Sequence, residues 1–192
     1  MANRFVLWFT RHWLALVNAS LAAILALSAL APWLMLHGHS RAGQLLYLAY
    51  RPLCHQLPER SFFLGGPQPW YTYDERYVGR AELGYKMAFC ERDVAIFAGY
   101  LLAGLLFALL RRRPWCKPLP WQIVALATVP MAIDGLVQLF GLVPSTPLRR
   151  TLTGVLFGVA VTWFAFPWLD RGMAGAQRIA EEGLEVTDAG SG

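Results

Sequence analysis

The chain alternates between long apolar runs and short polar or basic segments. Four of the runs are close to the roughly 20 residues that a helix needs to cross the hydrocarbon core of a bilayer. They cover residues 13–36, 93–110, 121–143 and 151–169. The pattern therefore predicts an all-α, polytopic membrane protein with four transmembrane helices.

The segment between the first two runs, residues 37–92, has mixed polarity. A short amphipathic helix is predicted from Arg41 to Tyr50, and Pro52 and Pro58 impose irregular backbone after it. The later part combines charges with the aromatic residues Trp70, Tyr71, Tyr73, Tyr77 and Tyr85. Such a mixture fits a loop lying on the membrane surface and equally a loop with a folded core of its own.

Composition supports a membrane protein: 56% of the residues are hydrophobic and 15% are charged. The formal net charge is +5, but the arginines gather beside the apolar runs and form no continuous basic face. The lipid bilayer, not nucleic acid, is therefore the expected partner.

Positive charge also predicts the topology. Arg111, Arg112, Arg113 and Lys117 share one short connection, which should lie in the cytoplasm. Four spans then place both termini in the cytoplasm of an inner-membrane protein, with the 37–92 loop outside. Residues 1–170 form one membrane-embedded domain, and residues 171–192 form a polar cytoplasmic tail. Arg149 and Arg150, on an outer connection, oppose this orientation.

The clearest candidate chemistry lies in that loop and just after it. Cys54, His55, Cys90 and Asp93 offer two thiols, an imidazole and a carboxylate, a set that suits zinc and, less well, iron. Cys54 and Cys90 would also suit a disulfide on an oxidising face, or could remain inert thiols. Asp93 is in addition a natural N-cap for the second transmembrane helix.

A second anomaly is Asp134, a carboxylate near the middle of the third apolar run. Pro130 and Gln138 lie one turn to either side of it, so the three share a helix face. An acid there is costly in lipid and should face protein or water. It either lines a cavity or bonds a neighbouring helix, through Ser28 or Thr162.

Small residues recur at helical spacing in two of the runs. Gly154 and Gly158 in the fourth run, and Ala95, Gly99 and Ala103 in the second, predict close helix contacts. The contacts would form within the bundle, with other membrane proteins, or with a second copy through Gly154 and Gly158.

Several short motifs together resemble domain-of-unknown-function family 2085, a group of small prokaryotic integral membrane proteins. The motifs are Cys54-His55-Gln56-x-Pro58-x-Arg60-Ser61-Phe62, Cys90-x-Arg92, Pro130-Met131-Ala132-Ile133-Asp134-Gly135-x-x-Gln138, Ser145-Thr146, Arg150 and Thr153-Gly154. The resemblance covers residues from about 50 to 165 and implies a metal-type cluster on Cys54, His55 and Cys90. At Asp93 the family usually has a cysteine, and at Pro147 an asparagine. It implies no activity.

Taken together, these features predict a membrane protein with a Cys/His metal site at one boundary. Residues expected to surround the metal or line a cavity are Gln56, Arg60, Arg92, Asp134 and Gln138. A coordination position open to water would permit hydrolysis, whereas four protein ligands would make the site structural. The alternatives are an assembly subunit with a Cys54–Cys90 disulfide, and a small proton-coupled transporter that uses Asp134.

Overall fold

The computed structural model describes residues 2–70, 79–80, 82–141 and 145–189. Across these residues the chain forms five α-helices: α1 (Ala2–Leu36), α2 (Ser40–Tyr50), α3 (Glu91–Leu110), α4 (Trp121–Leu139) and α5 (Pro147–Ala189). A short 3₁₀ turn at Pro58–Arg60 precedes three short strands, β1 (Phe63–Leu64), β2 (Gly79–Arg80) and β3 (Gly84–Lys86). The strands form an antiparallel sheet in the order β1-β3-β2.

In the described part of the chain, four helices are long and apolar enough to cross a membrane, namely α1, α3, α4 and α5. This confirms the predicted all-α polytopic fold. The short helix predicted from Arg41 to Tyr50 is α2. Helix α4, which forms the third predicted span, ends at Leu139, earlier than predicted, and residues 142–143 of that run lie outside the described residues.

Helices α3 and α5 approach each other closely because glycines face each other between them. A Cβ atom added at Gly158 would lie 2.5 Å from the carbonyl oxygen of Ile96, and one at Gly99 would lie 2.8 Å from that of Val155. Gly154 packs against Ala95 in the same way. The two small-residue patterns therefore contact each other within the chain. Because α3 covers Gly154 and Gly158, the structure does not support self-association through them.

Helix α5 runs on without a break through the segment predicted to be a separate polar tail. Glu181 in this extension forms an ion pair of 3.1 Å with Arg11, and Ala180 is buried. Gly183 lies beside Asn3, close enough that a Cβ there would be 2.7 Å from the Asn3 amide nitrogen. The extension thus packs against the first turns of α1.

The segment between α1 and α3, residues 37–90, is called the insertion. Its described residues, 37–70, 79–80 and 82–90, fold back along the end of α1. The Tyr50 hydroxyl, at the end of α2, donates a hydrogen bond to the carbonyl of Ile24. Ser28 accepts two hydrogen bonds: its hydroxyl oxygen accepts one from the Phe89 N–H (3.0 Å), and its backbone carbonyl accepts one from the Ala88 N–H (3.1 Å). Helix α3 therefore begins level with Ser28, and the last eight residues of α1 extend about 12 Å further, beside the insertion.

The two ends of the insertion contribute to a hydrophobic cluster that also includes Ala31 of α1, and this leaves both interpretations of the later aromatic residues as predictions. Tyr47, Tyr50, Phe63, Ala88 and Phe89 are all buried. Trp70 is exposed and Tyr85 is half-buried, whereas Tyr71, Tyr73 and Tyr77 lie outside the described residues. This cluster holds the segment around Cys54 against the start of α3.

Candidate metal centre

The backbone that carries Cys54 is bent, as the flanking prolines predict. The N–H groups of Leu53 and Cys54 both donate to the carbonyl of Tyr50, at 3.0 Å, which closes the chain into a turn after α2. Gln56 then adopts a φ of +55°, in the left-handed region that non-glycine residues rarely occupy. Its side chain offsets part of this strain by donating to the carbonyl of Tyr47 at 2.7 Å.

A buried lysine closes the turn from the other side. Lys86 is only 4% exposed; its ammonium donates to the Gln56 carbonyl and lies 5.6 Å from the centre of the Tyr47 ring. Burial lowers the pKa of Lys86 to about 8 and raises that of Tyr47. Sequence reasoning missed Lys86, because a lysine in a loop usually points into water.

Three of the four predicted metal ligands converge. The Sγ atoms of Cys54 and Cys90 and a carboxylate oxygen of Asp93 all lie within 4.8 Å of one another. The backbone N–H of Cys90 donates to Cys54 Sγ at 3.3 Å, and Cys90 Sγ donates to Asp93 Oδ2 at 3.1 Å. Cys90 itself is the N-cap of α3, so the interpretation of Asp93 as the N-cap is wrong. Asp93 lies in the first helical turn and faces the thiols.

His55, the fourth predicted ligand, is exposed and is not among the atoms that converge. It lies on the wall of the cavity into which the cluster opens. Its assignment as a ligand stays a prediction.

The two thiols are electrostatically unlike each other. The side-chain hydrogen bond with Cys90 holds the pKa of the Cys54 thiol below its usual range. The pKa of Cys90 is raised, first because its thiol shares a hydrogen bond with Cys54, then because burial disfavours the thiolate and because the Asp93 carboxylate is close. Cys54 therefore ionises first. All three cysteines are free thiols, and Cys116 lies at the opposite end of α3 from the cluster.

The cavity beside the cluster has a volume of about 360 Å³. Its wall includes four of the five residues predicted to surround the metal or line a cavity, namely Gln56, Arg60, Arg92 and Gln138. Arg150, a residue not assigned to the site from sequence, also contributes to the wall.

The fifth predicted residue, Asp134, is 3% exposed and lies behind the cavity wall, in a network of ion pairs and hydrogen bonds. Arg92 reaches its Oδ2 at 2.5 Å, the Ser145 hydroxyl donates to the same oxygen at 2.7 Å, and Arg149 lies 3.3 Å from Oδ1. The acid thus bonds neighbouring segments, which is one of the two predicted roles. The expected partners were wrong, since Ser28 bonds Phe89 and Thr162 bonds the carbonyl of Gly158.

A second buried pair joins α3 to α5. Arg150 donates to Glu91 Oε2 at 2.8 Å, and the side chains are 6% and 0% exposed. Arg150 also donates to the carbonyls of Ser145 (2.7 Å) and Glu59 (3.3 Å). Sequence reasoning missed this pair. The only available signal was an acid at the start of one apolar run and a base at the start of another.

Comparisons with known proteins agree with the membrane fold. Residues 82–164 match a family model described as "Predicted membrane protein (DUF2085)". An uncharacterized protein of Methanocaldococcus jannaschii is 32% identical over 123 residues, which are 64% of this chain and 67% of the relative. No solved structure matches the chain. The region matched by the family model includes Cys90, Asp93, Asp134 and Arg150.

Proposed function

Because the chain belongs to the membrane-protein family catalogued as domain-of-unknown-function family 2085, we propose for it a function at a bilayer boundary. It binds one zinc ion between Cys54, Cys90 and Asp93, with iron as the second choice of metal. The observation that carries the proposal is the convergence of these three ligand atoms within 4.8 Å.

The donor set and its spacing fit zinc. Zinc–sulfur bonds of about 2.3 Å and zinc–oxygen bonds of about 2.0–2.2 Å place tetrahedral ligands roughly 3.3–3.8 Å apart. The 3.1 Å contact between Cys90 Sγ and Asp93 Oδ2 is close to that range. Small rotations of the three side chains are therefore enough to admit the ion. Binding requires thiolates and would release the proton that Cys90 retains.

The fourth coordination position decides what the site does. If His55 occupies it, the ion is enclosed by protein and holds the insertion against α3. If it stays open, a bound zinc ion supplies a Lewis acid that lowers the pKa of a coordinated water. His55 is exposed beside the cavity, which allows either arrangement.

We place this site on the outer side of the inner membrane. The support is the basic connection Arg111–Lys117, which favours the cytoplasm. The opposing charges of Arg149 and Arg150 count for less, because both pair with acids inside the protein, Asp134 and Glu91. Both termini are then cytoplasmic.

Elemental analysis of the detergent-purified, reduced protein tests the proposal. We expect about one equivalent of zinc in the wild type and its loss in Cys54→Ser and Cys90→Ser. Cys116→Ser is the matched control, because it removes a thiol remote from the cluster, and it should keep the metal. A wild-type protein without metal, or equal loss in all three variants, contradicts the assignment.

Two further measurements separate the alternatives. His55→Ala should weaken zinc binding if the imidazole is a ligand and leave it unchanged if water fills that position. Mass mapping without reductant detects a Cys54–Cys90 disulfide. Its presence in the native protein would exclude zinc binding by these thiols and favour the assembly-subunit alternative. The transporter alternative gains no support, because Asp134 is held by two arginines and a serine.

A further inference from the structure

Three guanidinium groups, those of Arg60, Arg92 and Arg150, share one cavity with the Cys54–Cys90–Asp93 cluster. We infer that this cavity binds the phosphate group of a phosphate monoester. The inference rests on the proposed function, because it names the class of ligand for the same site. The arginines that carry the inference are distinct from the metal ligands, so an experiment can refute phosphate binding and metal binding independently.

Each of the three arginines is oriented by a carboxylate of the protein. Glu91 holds Arg150 at 2.8 Å, Asp134 holds Arg92 at 2.5 Å, and Glu59 lies 3.8 Å from Arg60. A guanidinium has five N–H donors in a fixed fork. The carboxylate takes one donor of Arg92, whereas Arg150 also donates to the carbonyls of Ser145 and Glu59. The acids therefore position the arginines on the cavity wall without using up their capacity for hydrogen bonds.

The donors of these arginines are incompletely used. Among the described residues, the buried Nε atoms of Arg60, Arg92 and Arg150 have no hydrogen-bond partner. One carboxylate oxygen each of Glu59 and Glu91 is also without a partner there. These Nε atoms are covered by protein, so a ligand in the cavity would bond the terminal nitrogens of the arginines instead.

The helix ends, more than the side-chain charges, favour an anion as that ligand. The arginines that line the cavity, at 60, 92 and 150, are balanced by the acids paired with them, at 59, 134 and 91. Helices α3 and α5 also begin here, with Arg92 and Arg150 in their first turns, and the N-terminal ends of helices favour negative groups. Zinc bound to two thiolates and a carboxylate would carry a net negative charge. Anion binding would therefore need directed hydrogen bonds from the arginines in addition to the helix ends.

The number of arginines and the size of the cavity favour a phosphate monoester. Three guanidinium groups can each face a different oxygen of a tetrahedral phosphate, whereas a carboxylate has only two oxygens. The volume of about 360 Å³ falls in the range of small-molecule sites and leaves room beyond the phosphate. Leu53 and Leu57 on the wall would contact the organic part of the ligand.

Titration calorimetry with the purified full-length protein tests the inference, with inorganic phosphate and a short-chain phosphatidic acid as the two probes. We expect saturable binding of at least one probe. Tighter binding of the phosphatidic acid identifies a lipid headgroup as the source, and tighter binding of inorganic phosphate identifies a soluble ligand. Zinc content is measured in the same samples, so that loss of metal and loss of anion binding are recorded separately.

Arg60→Gln is the informative variant, because its side chain is 40% exposed and its ion pair is long. It should bind the probe about tenfold more weakly, the size expected when a hydrogen bond to a charged group is lost. Arg51→Gln removes the same charge from an exposed side chain of the insertion that does not line the cavity, and it should bind like the wild type.

Absence of saturable binding in zinc-loaded protein overturns the inference and leaves the metal site standing. Equal weakening in both variants also overturns it, because it indicates general attraction by charge. If the wild-type protein is purified without zinc and still binds the probe in a way that depends on Arg60, the binding supports the inference. The missing zinc then contradicts the proposed metal site. Where Arg60→Gln elutes as aggregate, the same comparison is made with Arg60→Lys, which keeps the positive charge but loses the fork of donors.

Discussion

Arg92 on α3 and Asp134 on α4 form an ion pair of 2.5 Å, with the carboxylate 3% exposed. The pair ties α4 to the first turn of α3, immediately behind the cavity. Asp134→Asn leaves the half-buried Arg92 facing a neutral amide, and breaking such a pair typically costs 3–5 kcal/mol. We expect the free energy of unfolding in detergent to fall by about 3 kcal/mol.

Ser145→Ala is the milder companion variant. It removes one hydrogen bond to the same carboxylate oxygen but leaves both arginines in place, so we expect a loss of about 1 kcal/mol. If Asp134→Asn unfolds at the same denaturant concentration as the wild type, the network does not hold the bundle together.

The close contact between α3 and α5 predicts that one added methyl group lowers the free energy of unfolding substantially. Gly158→Ala places a Cβ about 2.5 Å from the Ile96 carbonyl oxygen, and backbone atoms cannot move aside locally. We expect a loss of about 2 kcal/mol or more in unfolding free energy. Gly172→Ala on the same helix meets nothing within 4 Å and should be neutral or stabilising by up to about 1 kcal/mol. Equal stability of the two variants would rule out close glycine packing.

The unequal thiols predict an order of alkylation with pH in metal-free protein. Only the thiolate reacts, so a lowered pKa moves the midpoint of the rate to lower pH and a raised pKa moves it higher. Cys54 should react with a midpoint below that of an ordinary cysteine, about pH 8.5. Burial raises the pKa of Cys116, and Cys90 is raised as well, so both should have midpoints above that value. Mass mapping after timed exposure to iodoacetamide measures all three, and a midpoint for Cys54 above that of Cys116 would reverse the assignment.

The proposed orientation predicts which thiols are reachable from outside the cell. In a Cys54→Ser/Cys90→Ser background, Cys116 should react with a membrane-impermeant maleimide only after the membrane is opened. His37→Cys in a cysteine-free background is the control, because His37 is exposed between α1 and α2 and should react in intact cells. Labelling of Cys116 in intact cells would invert the topology.

The four membrane helices could be predicted because the bilayer itself constrains them. Backbone N–H and C=O groups have no water to bond in hydrocarbon, so an apolar run of sufficient length must be helical. The turn around Cys54 was predictable for a similarly local reason, since Pro52 and Pro58 restrict their neighbours. The limits of two helices were less predictable: α1 begins before its apolar run and α5 continues past its own, and these two extensions pack on each other.

The candidate site shows the same division. Cys54, Cys90 and Asp93 were recognisable as ligand types. Cys54 and Cys90, however, are 36 residues apart, and they meet because Ser28 holds residues Ala88 and Phe89 just before α3. The partners of Asp134 and the pair of Glu91 with Arg150, 59 residues apart, followed from no local pattern. Local residue types and their periodicity determine which segments enter the membrane. Which charges meet depends on where several helix ends come together in space, and only the tertiary structure decides that.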